Sequence, residues 1–98
     1  MMQFVIEGMD GVDSAALREQ HKAAHVAHLL SLGEHFVIGG PFLDEDGREI
    51  GSMVVIEAED RAAANAFAGA DPFVALGVFS KVTVRRWDFG YLRAKGRG

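Results

Sequence analysis

Ser52-Met53-Val54-Val55-Ile56-Glu57-Ala58 decides the fold, because its side chains are apolar on both sides. Strand side chains alternate between faces, so Val54 and Ile56 point one way while Met53 and Val55 point the other. An antiparallel sheet with one solvated face alternates apolar with polar residues instead. The two-sided pattern recurs at residues 2–8, where Phe4 and Ile6 stand against Val5. It recurs again at 35–40, where Phe36 and Ile38 stand against Val37. A sheet built from these strands has to be covered on both faces.

Downstream, Asp60 caps an alanine-rich helix over residues 61–68 that Gly69 closes, and residues 78–89 make the last and longest strand. Upstream, Leu43-Asp44-Glu45-Asp46-Gly47-Arg48 is polar hairpin material with a turn glycine, and Pro41 halts the strand before it. Further back, Asp13 or Ser14 caps a long helix that stops at Gly33, after a strand ending at Gly8. The order is βαββαβ, the ferredoxin-like split βαβ pattern, so the chain reads as α+β with an antiparallel sheet. Right-handed crossovers place both helices on one face. The helix-free face then needs a second sheet, most simply that of an identical subunit on a two-fold axis, and a homodimer is expected.

Composition narrows the chemistry. The 98 residues suit a single domain, and a hydrophobic content of 49% suffices for a core. With no cysteine there is no disulfide framework, no thiolate nucleophile and no zinc–thiolate site. Met1-Met2-Gln3-Phe4-Val5-Ile6-Glu7 has no basic leader, and no apolar run approaches the roughly 18 residues of a membrane span, so a cytoplasmic protein without membrane contact is expected. A net charge of −4 argues against nucleic acid as a partner. The basic residues concentrate late, as Lys81, Arg85, Arg86, Arg93, Lys95 and Arg97 against Asp88. Residues 1–89 therefore read as the domain and 90–98 as a basic, solvated tail.

Two segments carry the candidate chemistry. His21-Lys22-Ala23-Ala24-His25-Val26-Ala27-His28 puts three imidazoles at offsets of four and three residues, on one stripe of the first helix. Ala70-Asp71-Pro72-Phe73-Val74-Ala75-Leu76-Gly77 places a carboxylate before a proline-initiated turn. In the βαββαβ topology, Gly39-Gly40-Pro41, Ser52, the Asp71 turn and the first half of the long helix all meet at one end of the sheet. A histidine there, oriented by a carboxylate, can transfer protons near neutral pH. Plainer roles stand beside this one. Asp71 serves as an N-cap, and His25 lies among Leu17, Ala24, Leu29 and Leu32 as a core residue would. Gly39 and Gly40 end a strand, and Ser52 bonds the hairpin backbone. A metal is not expected, since the acid between paired helical histidines is missing and no further strong ligand accompanies Asp71. His28 and His35 read as surface or partner-contacting residues, and Phe67, Phe73, Phe79 and Trp87 as core or interface.

Lys22-Ala23-Ala24-His25-Val26-Ala27-His28-Leu29, Gly39-Gly40-Pro41, Gly51-Ser52 and above all residues 70–79 resemble the YCII (YciI-like) family from the first strand to about Trp87. The resemblance implies a ferredoxin-like subunit forming a dimeric α+β barrel. It also implies an acid/base dyad, which falls on His25 and Asp71. A branch of the family includes dehydrochlorinases acting on chlorinated hydroxyquinols, and the fold is similar to that of muconolactone isomerases. Family members often carry arginine or proline where this chain has Lys22-Ala23-Ala24, which leaves the substrate open. The expected function is a small cofactor-free lyase or isomerase, with dehydrochlorinase-like chemistry as the option the resemblance offers, and with Gly40, Pro41, Ser52 and His21 around a small cyclic or aromatic-derived metabolite. The alternative is a non-catalytic ligand-binding or regulatory dimeric module using the same pocket.

Overall fold

Apolar alternation turns Met2–Asp10 into strand β1, and Phe36–Leu43, Glu49–Ala58 and Phe79–Trp87 into β2, β3 and β4. In the computed structural model, which describes residues 1–90, these form one sheet in the order β2-β3-β1-β4, antiparallel throughout. Helix α1 (Ala15–Ser31) follows β1 and α2 (Arg61–Ala70) follows β3; a single turn, α3 (Pro72–Ala75), leads into β4. The chain is thus α+β with the ferredoxin-like order. The expected basic tail, apart from Gly90, lies outside the described residues. Among the described residues no helix is long and apolar enough to cross a membrane.

Both helices cover the face that carries Phe4, Ile6, Val54 and Ile56. Ala64 and Ala68 of α2 complete that buried cluster, with Leu29 and Leu32 of α1, Phe67, Val82 and Val84 packed against it. The small side chains at 64 and 68, four residues apart, let α2 lie close to the sheet. Asp60 caps this helix as its sequence suggests, accepting a hydrogen bond from the Ala63 amide at 2.8 Å. Ser14 occupies the N-cap of α1 but makes no side-chain cap bond.

Strand β2 departs from simple alternation. Phe36 pairs with Ile56, yet the next pairing is Ile38 with Val55, so Val37 is an extra, bulged residue. Directly paired residues share a face, and the bulge therefore turns Ile38 away from Phe36 to the helix-free side. It also sends Gly39 and Pro41, paired with Val54 and Ser52, to the helix side. Nor does Pro41 end the strand. β2 is an edge strand, the place in a sheet where proline is tolerated. The helix-free face is apolar at Val5, Met53, Val55 and Ile38, while β4 adds Lys81, Thr83 and Arg85 beside Glu7. These polar and charged groups and Met9, Phe42, Leu43 and Ile50 line a depression of about 420 Å³, with no histidine in its lining.

Gly8 fixes one contact that reaches toward the site. A Cβ there would lie 2.3 Å from a ring carbon of Phe79, whose ring meets Phe73 edge-on at 5.6 Å. Gly8→Ala is expected to destabilise the protein by about 1–3 kcal/mol through overpacking, read as a lower urea midpoint.

Candidate active site

Asp71 sits where α2 ends and α3 begins, and it serves two donors at once. Its Oδ1 accepts from the Phe73 amide at 2.9 Å, capping α3. Its Oδ1 and Oδ2 also lie 2.8 and 2.9 Å from Nδ1 of His25. The capping role and the histidine-orienting role expected as alternatives coexist in one carboxylate. Both residues are 7% exposed. Pro72 opens α3, and the ring of the next residue, Phe73, stacks on the imidazole at 4.0 Å with planes 5° apart. With Nδ1 held by Asp71, the ring nitrogen left for chemistry is Nε2.

A cavity of about 170 Å³ opens beside this pair. His25, Gly39, Gly40, Pro41 and Ser52 line it, together with Arg18, Lys22, Val26, Leu29, Glu49 and Phe73. The convergence expected from the topology therefore occurs at Gly40, Pro41 and Ser52. His21 does not line the cavity. At about 100° per residue, Lys22 and Leu29 project about 60° and 40° to one side of His25, whereas His21 and His28 project about 40° and 60° to the other. His28 donates from Nε2 to the Phe67 carbonyl at 3.0 Å, and His35 from Nδ1 to the Glu57 carbonyl at 2.8 Å. Both tie elements of the fold together rather than standing free on the surface. Among the described residues no three His, Asp or Glu side chains gather as a metal-binding group.

Three contributors escaped sequence reading. Phe73, read as core or interface, is the platform of the imidazole. Arg18 forks onto Asp10 through Nε and Nη2 at 2.7 and 2.9 Å, donates to the Gly51 carbonyl at 2.9 Å, and holds its guanidinium 4.7 Å from the centre of the Phe73 ring. Lys22 bonds Glu49 at 2.9 Å across the cavity mouth. The signal was present: Arg18 and Lys22 precede His25 by seven and three residues, on the same helical stripe.

The Lys22 bond holds the Glu49 carboxyl below its usual 4.5, and Glu49 in turn holds the Lys22 ammonium above its usual 10.5. A carboxyl with a lowered folded-state pKa stabilises the fold above its unfolded value, and that contribution disappears as pH falls through the folded value. Below 4.5, then, wild-type stability should fall more steeply than that of Glu49→Gln, as urea midpoints across the acid range will report.

Fold and site together define a small α+β domain with a buried His–Asp pair at a ring-sized cavity between helix and sheet. The YCII-related domain model matches residues 2–88, and the chain belongs to that family. It is 36% identical over 92 residues to protein YciI of Escherichia coli O6:H1, covering 86% of this chain and 94% of that protein, and equally similar to YciI of Shigella flexneri. Among solved structures it resembles the 5-chloro-2-hydroxyhydroquinone dehydrochlorinase of Burkholderia phenoliruptrix AC1100, determined in complex with 2,5-dihydroxybenzoquinone. The TM-score is 0.82 at 34% identity, over 91% of this chain and 96% of that one. SnoaB, a cofactor-independent oxygenase of Streptomyces nogalater, shares the fold at a TM-score of 0.57 and 16% identity, over 96% and 97% of the two chains.

Proposed function

We propose that this chain is a cofactor-free acid/base enzyme that isomerises, or eliminates hydrogen chloride from, a hydroxylated single-ring substrate. The observation that carries the reading is the buried imidazole, bonded through Nδ1 to Asp71 and lining a cavity of about 170 Å³. A cavity of about 150 Å³ is enough to bind benzene, so one substituted ring matches the space. The resemblance to a dehydrochlorinase at 34% identity points to the same substrate class.

In this mechanism Asp71 keeps the proton of neutral His25 on Nδ1, leaving the Nε2 lone pair as the base. Nε2 takes a ring hydroxyl proton, and the imidazolium returns it to a ring carbon, giving the keto tautomer. Where that carbon carries chlorine, chloride leaves while a conjugated hydroxyl gives up its proton. The balance is loss of HCl and formation of a quinone, with no external oxidant. Ser52 and the backbone of Gly40, which line the same cavity, hold the oxygen that gains charge. The test is incubation of the purified protein with 5-chloro-2-hydroxyhydroquinone, without metal or nucleotide. Chloride and quinone should appear in equal amounts. Binding of such rings without turnover would instead favour the ligand-binding module.

We further infer that the helix-free face closes on a second copy of the chain. Ile38, Trp87 and Met9 on that face are 61%, 42% and 39% exposed in the single chain. A Cβ on Gly40, which points to this face, would meet nothing within 4 Å. Light scattering should give twice the 10.6 kDa chain mass, and Ile38→Glu should give the monomer.

A further inference from the structure

Arg18 is a buried cation with only part of its donor set in use. Its side chain is 7% exposed, and Nε and Nη2 are committed to Asp10 and the Gly51 carbonyl. Nη1 faces only Glu49 Oε1, at 3.7 Å, which is beyond hydrogen-bond reach. Among the described residues no fully buried side-chain nitrogen or oxygen lacks a partner, so Nη1 keeps some exposure, and Arg18 is one of the residues that line the cavity. Lys22 lines the same cavity with its ammonium held by the same Glu49 oxygen. One carboxylate thus stands between two cations at the mouth of the site.

Building on the acid/base reading of this cavity, we propose that Arg18 Nη1 and Lys22 Nζ receive an ionised oxygen of the substrate. The site then selects an anionic ring, a phenolate or enolate, over its neutral counterpart. A guanidinium whose other donors are already fixed needs little reorganisation to meet an incoming charge. Hydrogen bonds to an ionised oxygen are roughly twice as strong as neutral ones. Glu49 occupies Lys22 in the empty site, and the ligand oxygen takes over that donor. Val26, Leu29 and Phe73 supply apolar walls for the ring. The substrate this describes carries two oxygens, one ionised against the cations and one hydroxyl offered to His25 Nε2.

Calorimetric titration with 2,5-dihydroxybenzoquinone, ionised in neutral buffer, and with neutral hydroquinone tests the assignment. The anion should bind wild-type protein about tenfold more tightly or better, with the gap narrowing as salt is raised. Folded Lys22→Gln should lose about tenfold for the anion and stay within about twofold for hydroquinone, while Glu49→Gln should tighten the anion. Equal binding of both probes, no binding of the anion, or unchanged anion affinity in folded Lys22→Gln would overturn the proposal. His25→Asn separates it from the catalytic reading, because that variant should keep the discrimination and lose turnover. A wild-type protein that discriminates between the probes but turns over no ring would defeat the acid/base reading and leave the anion site standing.

Discussion

His25→Asn yields a folded protein that turns over about 10²–10⁴-fold more slowly, the range that a positioned general base supplies. Asparagine is chosen because its amide can still donate to Asp71, which is buried and would otherwise lose its partner at a cost of about 1–3 kcal/mol. What it cannot do is accept a proton as Nε2 does. Asp71→Asn attacks the same step from the other side. Its carbonyl oxygen still accepts from the Phe73 amide, so α3 keeps its cap. Its NH2 then faces Nδ1, and the imidazole moves its proton to Nε2, where the base is needed. A carboxylate-to-amide exchange of this kind in a Ser-His-Asp triad costs about 10⁴ in rate. Both variants should therefore retain their urea midpoints to within the loss of one hydrogen bond while kcat/KM collapses. Wild-type turnover in either one, with folding verified, would remove His25 and Asp71 from the chemistry.

That the Asp71 turn and the histidine-bearing half of α1 share one end of the sheet was legible from connectivity; the choice of His25 as Asp71's partner came from the family resemblance. Once the order βαββαβ is read, the end of β2, the start of β3 and the turn before β4 must share one end of the sheet with the first half of α1. Connectivity places these segments at one end whatever the side-chain detail. Gly40, Pro41 and Ser52 were found on the same ground. What escaped depends on register and on side-chain direction. The Val37 bulge is a property of pairing with β3, invisible in the run Phe36-Val37-Ile38, and it alone decides that Ile38 faces away from the helices. Pro41 looked like a terminator because the strand's edge position is a fact about its neighbours. On α1 the stripe was right and its centre slightly wrong: a rotation of about 40° separates His21 from His25, enough to send His21 past the cavity and bring Lys22 into it. Arg18 was hidden by its type, since a charged residue is read as solvated until its partners are known. Asp10, at the end of the preceding strand, and the Gly51 carbonyl, 33 residues further along the chain, are such partners.

Phe73→Ala should be the most destabilising single change at the site. The side chain is fully buried, and removing a buried phenylalanine costs about 3–5 kcal/mol, a large share of the roughly 5–15 kcal/mol that holds such a domain together. Packing alone does not exhaust its role. The ring lies parallel under His25, carries the Arg18 guanidinium near its centre, and takes the edge of Phe79, which Gly8 leaves room for. Stability and catalysis are therefore confounded in the alanine variant, and Phe73→Leu separates them. Leucine keeps much of the apolar volume and the backbone amide that Asp71 caps, so the fold should persist with a modestly lower urea midpoint. It offers no flat surface to an imidazole or a guanidinium, so the His25 ring gains rotational freedom about its bond to Asp71 and Nε2 spends less time aimed at the cavity. The expected result is a fall in kcat larger than the change in KM, because a misaimed base affects the proton-transfer step more than binding. A folded Phe73→Leu variant with unchanged kcat would mean that the carboxylate alone fixes the imidazole, and that the aromatic stack beneath it belongs to the core.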